Sequence, residues 1–201
     1  MDVWFLYSMG YLLPMRRLEE ALAAMQKAQE LDPLSPNIHS YLGNIYIIMR
    51  QYDRAIEHYR NALELNPQLP MAIVFLGAAH ILKGELDEGI RIIEAVAKLK
   101  ALIPLLKGTI GWAYAKVGRT SDARRFLEEL QMAAAKSYVP AINLAYIHSG
   151  LGEIDECFDC LYKAVDNREP TIVQFIFFPG FDPLRSHPRY KALLRKMNLE
   201  S

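Results

Sequence analysis

Small residues return every 34 positions along this chain, at Gly43, Gly77, Gly111 and Ala145. Each follows an aliphatic residue, Leu42, Leu76, Ile110 or Leu144, and a second small column in the same frame holds Ala21, Ala55, Gly89, Ala123 and Cys157. A fixed period of this length marks structural units that cannot bury their apolar face alone and do so by stacking. Prolines mark the joints, Pro33 and Pro67 in one column and Pro36, Pro70 and Pro104 in another. Proline stops a helix that reaches it and suits the first turn of the next. The chain therefore reads as all-α, five copies of a helical hairpin.

The pattern inside a copy agrees. His39, Leu42, Gly43 and Tyr46 share one helical face, and Ala55, Tyr59 and Ala62 share a face of the following helix. Glycine costs about 1 kcal/mol against alanine inside a helix, so its return in three first helices argues for close approach between helix axes. Polar turns such as Gly84-Glu85-Leu86-Asp87 and Gly118-Arg119-Thr120-Ser121-Asp122 place glycine at a helix end and offer Asp or Ser as caps for the next helix. The periodicity predicts helices over 3–13, 17–31, 37–49, 53–65, 71–83, 87–99, 104–117, 121–135, 139–150 and 154–167.

Leu42, Gly43, Tyr46, Ala55, Tyr59, Ala62 and Pro67, with the phrase AIEHYRNALELNP, resemble the tetratricopeptide repeat family. Other copies depart from the pattern: His80 and His148 stand in the aromatic column, and Gly89 and Cys157 in the small one. The resemblance covers residues 2 to 168 as five hairpins, about 2–34, 36–69, 70–103, 104–137 and 138–168. It implies a right-handed superhelical solenoid of antiparallel helix pairs with a concave groove.

Composition narrows the function classes. The 23 basic and 23 acidic residues balance, which leaves no electrostatic footprint for nucleic acid or an anionic membrane. The longest apolar stretch, Met71 to Leu82, is about half of the ~20 residues a membrane span needs. The opening MDVWFLYSMGYLLP is no export signal, because an acidic residue leads it and Arg16 and Arg17 follow it. Two cysteines and no targeting segment point to a reduced, cytoplasmic setting.

The ends differ. Trp4, Phe5, Tyr7 and Tyr11 make the first helix more aromatic than the polar outer face of a capping helix. Either further repeats or another domain precede it, or it meets a partner, including a second copy of the chain. After Pro170 comes TIVQFIFFPGF, where Pro179-Gly180 stops any helix. Asp182 before Pro183 and Ser186 before Pro188 signal helix starts, leading to a short helix with Tyr190, Leu193, Leu194 and Met197 on one side. Residues 169–201 are read as a segment capping Leu161 and Ala164 of the fifth hairpin, or as one that folds back on the groove. The tail is similar to tails that close repeat regions in bacterial signalling proteins, among them nucleotide cyclases, winged-helix regulators and Ser/Thr kinases.

Nothing in the sequence forms a catalytic or cofactor constellation. Cys157 and Cys160 lack the further ligands a zinc site needs, and Cys157 stands in a packing column. The five histidines are scattered, and the glycines follow the repeat instead of a phosphate loop. The chain reads as a non-catalytic scaffold with no metal and no cofactor.

A binding groove can be placed from the frame. Beside the packing stripe of each first helix runs a second stripe at i, i+4, i+7 and i+11. It holds Asn37, Tyr41, Asn44 and Ile48; Met71, Phe75, Ala78 and Leu82; Leu105, Thr109, Trp112 and Lys116; and Val139, Asn143, Tyr146 and Gly150, after Val3, Tyr7, Gly10 and Pro14 in the first copy. Only Lys116 among them is charged. The expected ligand is an apolar or amphipathic peptide segment held by an aromatic ladder of Tyr41, Phe75, Trp112 and Tyr146, with Ile48 and Leu82 beside it and Asn44 and Asn143 bonding its backbone. Some members of the family hold a peptide's carboxylate with groove cations, but this chain has Leu6 and apolar neighbours where those would stand. The competing reading is that the inner members, Phe75 and Ala78, pack hairpin against hairpin. A further alternative is a regulatory domain of a larger bacterial signalling protein, acting within its own chain.

Overall fold

The computed structural model describes residues 3–99 and 102–199, with backbone alone at Phe5 and Leu6. The side chains of those two, invoked above for the N-terminal face and for the missing groove cations, lie outside the described residues. Every regular element among the described residues is helical. The chain forms two compact units, the first ending at Val96 and the second beginning at Ala97, the last residue of the sixth helix.

The first unit holds α1 (Val3–Phe5), a π-helical continuation (Leu6–Leu12), α2 (Leu18–Leu31), α3 (Pro36–Ile48), α4 (Tyr52–Leu65), α5 (Pro70–Lys83) and α6 (Leu86–Ala97). The π segment differs from the α-helix expected over 3–13. Its wider turn is closed by the Leu13 N–H donating to the Ser8 carbonyl at 2.9 Å, and the Ser8 hydroxyl donates to the Ala21 carbonyl of α2 at 2.7 Å. In this unit α3 packs on α2 and α4, and α4 on α5.

The second unit holds α7 (Pro104–Lys116), α8 (Thr120–Ala134), α9 (Ala141–Leu151), α10 (Ile154–Asp166), α11 (Pro170–Phe175), a 3-10 turn (Pro179–Leu184) and α12 (Pro188–Lys196). Here α7 packs on α8 and α9, and α9 on α10. First helices of the pairs are apolar nearly all round and largely buried, α3 from Ile38 and α7 from Leu106 onward. The second helices are amphipathic, α4 burying Ala55, Ile56, Tyr59 and Ala62 on one stripe.

Glycine in the small columns answers to crowding. A Cβ on Gly77 would lie 2.5 Å from Ile93 and 2.7 Å from the Gly89 carbonyl, so the two glycines of this pair face each other. At Gly43 the same space is filled by the Tyr59 ring, 2.6 Å from where a Cβ would stand. The final pair uses Ala145 and Cys157, whose thiol donates to the Ala145 carbonyl at 3.1 Å.

A third column becomes visible in the backbone. Arg16, Arg50, Gly84, Gly118 and Gly152, also 34 apart, all have positive φ. After each, a backbone N–H reaches back to close the same turn: Arg17 to Leu12, Gln51 to Tyr46, Glu85 to His80, Arg119 to Tyr114 and Glu153 to His148, at 2.8–3.0 Å. Arginine takes the position at the cost of about 1 kcal/mol that glycine avoids. At Arg50 the side chain repairs part of that, since its Nη1 donates to the Ile48 carbonyl at 2.7 Å. Before α2, α4, α8 and α10 the expected side-chain caps are absent. The residue before α8 is Arg119, which makes no capping bond and instead pairs with Asp122 at 2.7 Å.

The tail is helix, turn and helix. Pro183 lies inside the 3-10 run, and Asp182 bonds Arg185 at 2.5 Å without starting a helix. His187, not Ser186, caps α12, its Nδ1 accepting from the Arg189 N–H at 3.2 Å. His187 is 34 residues beyond Glu153, the residue that precedes α10, so the tail keeps the frame of a sixth hairpin whose first helix is broken over 176–178, before Pro179-Gly180 open the 3-10 run.

Candidate binding surface

The nine residues nominated for the groove separate by depth. In the first unit Asn44, Ile48 and Phe75 are buried and Tyr41 and Leu82 are half-buried; in the second Trp112, Asn143 and Tyr146 are buried and Lys116 is exposed. The rings nearest the middle of the stripe face neighbouring helices. Phe75 stacks on Tyr59 with centroids 6.3 Å apart, and the Tyr59 hydroxyl donates to Asn44 Oδ1 at 2.6 Å. Trp112 stacks on Tyr146 at 5.3 Å. The members of the stripe left half-buried or exposed in these helix pairs are at its margin: Asn37 and Tyr41, Met71 and Leu82, Leu105 and Lys116, and Val139 and Gly150. Burial pushes the Tyr41 hydroxyl pKa up, so that side chain offers a hydrogen bond and not a charge.

In the second unit the tail lies on Tyr146. Phe181 meets its ring edge-on at 5.2 Å, the Gly180 backbone passes so close that a Cβ would overlap it, and the Ser149 hydroxyl donates to the Gly180 carbonyl. Arg189 fixes α12 to α10, binding Asp155 and Asp159 at 2.9 Å each while its guanidinium covers the Phe158 ring at 4.7 Å. Glu169 enters the core between α10 and α11. Its carboxylate accepts from the Ala141 N–H at 2.7 Å and the Ile142 N–H at 3.3 Å, capping α9 from 28 residues away. Pro140 precedes α9 and makes no side-chain cap, which is the opening Glu169 fills.

The histidines in the aromatic column gain a partner five residues on. His80 Nδ1 lies 2.5 Å from Glu85 and His148 Nδ1 2.7 Å from Glu153. Each carboxylate also receives a cation: Lys83 bonds Glu85 and reaches Asp53 of α4, and Arg124 of α8 bonds Glu153. Lys83 and then His80 hold the Glu85 carboxyl below its usual range. Where the column keeps tyrosine, the residue five on is uncharged Gln51 or Arg119, whose guanidinium lies 4.6 Å over the Tyr114 ring. The sequence shows both residues of each dyad in the repeat frame, but their contact depends on the turn that the left-handed residue makes.

Burial raises the thiol pKa of Cys157, and that of Cys160 to about 11, which leaves both poor nucleophiles at neutral pH. Among the described residues no group of three or more His, Cys, Asp or Glu could hold a metal, and no helix is long and apolar enough to cross a membrane.

Residues 36–69 match the Tetratricopeptide repeat family. Among solved structures the chain is similar to a thermophilic protein of that repeat class from Thermus thermophilus, with 19% identity over 89% of this chain and 91% of the other and a TM-score of 0.60. It is also similar to a chain in the anaphase-promoting complex hetero-tetramer Cut9–Hcn1, with 16% identity and a TM-score of 0.61, covering 96% of this chain but 42% of that one. A repeat protein of Parabacteroides merdae matches with 14% identity over 98% of this chain and 78% of its own, at a TM-score of 0.50. No curated protein matches the sequence.

Proposed function

We infer, from a chain that contains a tetratricopeptide repeat at residues 36–69 and has the fold of tetratricopeptide-repeat arrays, that it serves as a scaffold for protein–protein interaction. The reading is further that it holds an apolar or amphipathic peptide segment. The single observation behind this is the uncharged stripe of the first helices, where Lys116 alone carries charge among the positions in frame. Tyr41 and Leu82 in the first unit and Lys116 in the second supply direct contacts. Phe75 and Asn44, and Trp112, Tyr146 and Asn143, form the layer beneath. Aromatic and aliphatic contacts of this kind give large area at small entropic cost. In keeping with such a scaffold, no catalytic role is assigned, and two cysteines without a disulfide suit a cytoplasmic setting.

Capture of partners with the purified chain, followed by mapping of the bound peptide, tests the reading. Tyr41→Ala is expected to weaken capture about tenfold or more, whereas Lys116→Ala changes its salt dependence more than its strength. A captured ligand that is strongly acidic and released by moderate salt would overturn the apolar reading.

One observation favours a second reading, regulation within the chain: the tail occupies the Tyr146 face. A tail that competes with ligand predicts tighter capture when Phe181 is replaced, and a tail that only covers the last hairpin predicts none. Self-association through the first helix is supported by the exposed Trp4, Tyr7 and Tyr11, and sedimentation over a range of concentrations tests it.

A further inference from the structure

Two histidines outside the dyads meet across the hairpin of α3 and α4. His39 Nδ1 and His58 Nδ1 lie 3.4 Å apart, with ring centroids at 5.6 Å. His39 Nε2 lies 3.4 Å from the Pro33 carbonyl, a group that can only accept. That contact puts the His39 proton on Nε2 and leaves its Nδ1 as an acceptor, so the proton between the rings belongs to His58. Tyr46 stacks on the His58 ring at 5.2 Å, and the Arg54 guanidinium lies 5.7 Å over the same Tyr46 ring. His39 is buried and His58 half-buried.

We propose that His39 and His58 form a proton-sensitive clasp that holds α3 to α4 near neutral pH and opens the hairpin under mild acid. The neutral pair satisfies its facing nitrogens with one shared proton. Protonating both rings removes the acceptor between them and sets two cations 3.4 Å apart in a partly buried site.

The charged groups around the pair favour the same outcome. Burial first, and then His39, lower the His58 pKa from the ordinary 6.5, while the adjacent Glu57 opposes them as the smallest contribution. Arg54, over the Tyr46 ring, donates to the uncharged Gln51 side chain at 3.0 Å. The sign follows from linkage. The unfolded chain protonates His58 below its ordinary 6.5, and the fold, which lowers that pKa, withholds the proton, so stability present at neutral pH is lost as pH falls below that value. Each proton withheld by the fold contributes up to about a tenfold change in the unfolding constant per pH unit. The clasp is independent of which segment the scaffold binds, and its tests use the chain without ligand.

Imidazole NMR titration of the intact chain reads the pair directly. The expected result is two coupled steps, the second well below the ordinary histidine value, with His58 moving up when His39 is replaced in His39→Asn. Urea unfolding of the intact chain between pH 7.5 and 5 should show a steeper loss of stability for wild type than for His58→Asn. Amide exchange across residues 36–66 should quicken with acid more than across α9 and α10. Two imidazoles titrating independently near 6.5 would overturn the clasp, and so would an unchanged pH slope in a folded His58→Asn variant. The wild-type titration remains decisive even if a variant does not fold.

Discussion

At the start of the chain Trp4, Tyr7 and Tyr11 present their rings to solvent, whereas toward its end Phe177, Phe178 and Phe181 are buried. Both stretches are rich in aromatics. The difference lies in continuity of the backbone. Val3 to Leu12 is one uninterrupted run, and it can set only one face on α2 while the opposite face stays out. The tail is interrupted over 176–178 and again over 185–187, and a broken segment can turn rings from successive positions toward one surface.

The largest expected contrast is between single rings at the two ends. Phe181→Ala should cost about 3–5 kcal/mol because it empties a fully buried site against Tyr146, while Tyr11→Ala should cost less than about 1. Urea unfolding of the two variants checks this, and equal losses would break the comparison. Next comes the carboxylate that ties the tail to α9. Glu169→Ala leaves the Ala141 and Ile142 N–H groups buried without their acceptor and is expected to cost about 1–3 kcal/mol, seen as a lower melting temperature with faster amide exchange at the start of α9.

Glycines sharpen the contrast at a smaller scale. Gly180→Ala drives a methyl into the Tyr146 ring and should cost on the order of 1–3 kcal/mol, whereas a Cβ on Gly10 meets nothing within 4 Å and Gly10→Ala should be neutral or slightly stabilising. Unfolding midpoints that move together would mean that the tail does not approach α9 as described. The smallest effect belongs to Arg50→Gly. Relief of its left-handed φ of 62° is worth about 1 kcal/mol, and loss of the bond to the Ile48 carbonyl removes about as much, so the net change should stay within about 0.5. A loss well above that would show that the arginine side chain is the main closure of this turn.

Much of the fold is legible in the sequence. The 34-residue columns place the helices α2 to α10 to within two residues, because apolar periodicity and proline positions are local properties of the chain. The left-handed column is partly legible, in Gly84, Gly118 and Gly152. Arg16 and Arg50 hid the rest, since nothing in an arginine announces a positive φ. The tail's start signals misled for a related reason. Ser186 is the better capping residue by type, but His187 stands in the frame of the repeat and takes the role.

For the candidate surface the sequence supplied which residues share a stripe, and the packing decided their depth. Phe75, Trp112 and Tyr146 are equally apolar whether they line a groove or fill a gap between helices. Which of these they do depends on how near the next helix comes, and that distance is a property of pairs of elements and not of one. The same holds for Glu169 on α9 and for His39 against His58: contacts spanning 28 and 19 residues have no signature in local composition. Local chemistry determined the helices, their order and their apolar faces. Tertiary packing decided which faces remained open, because burial is settled only when the surfaces of two elements meet.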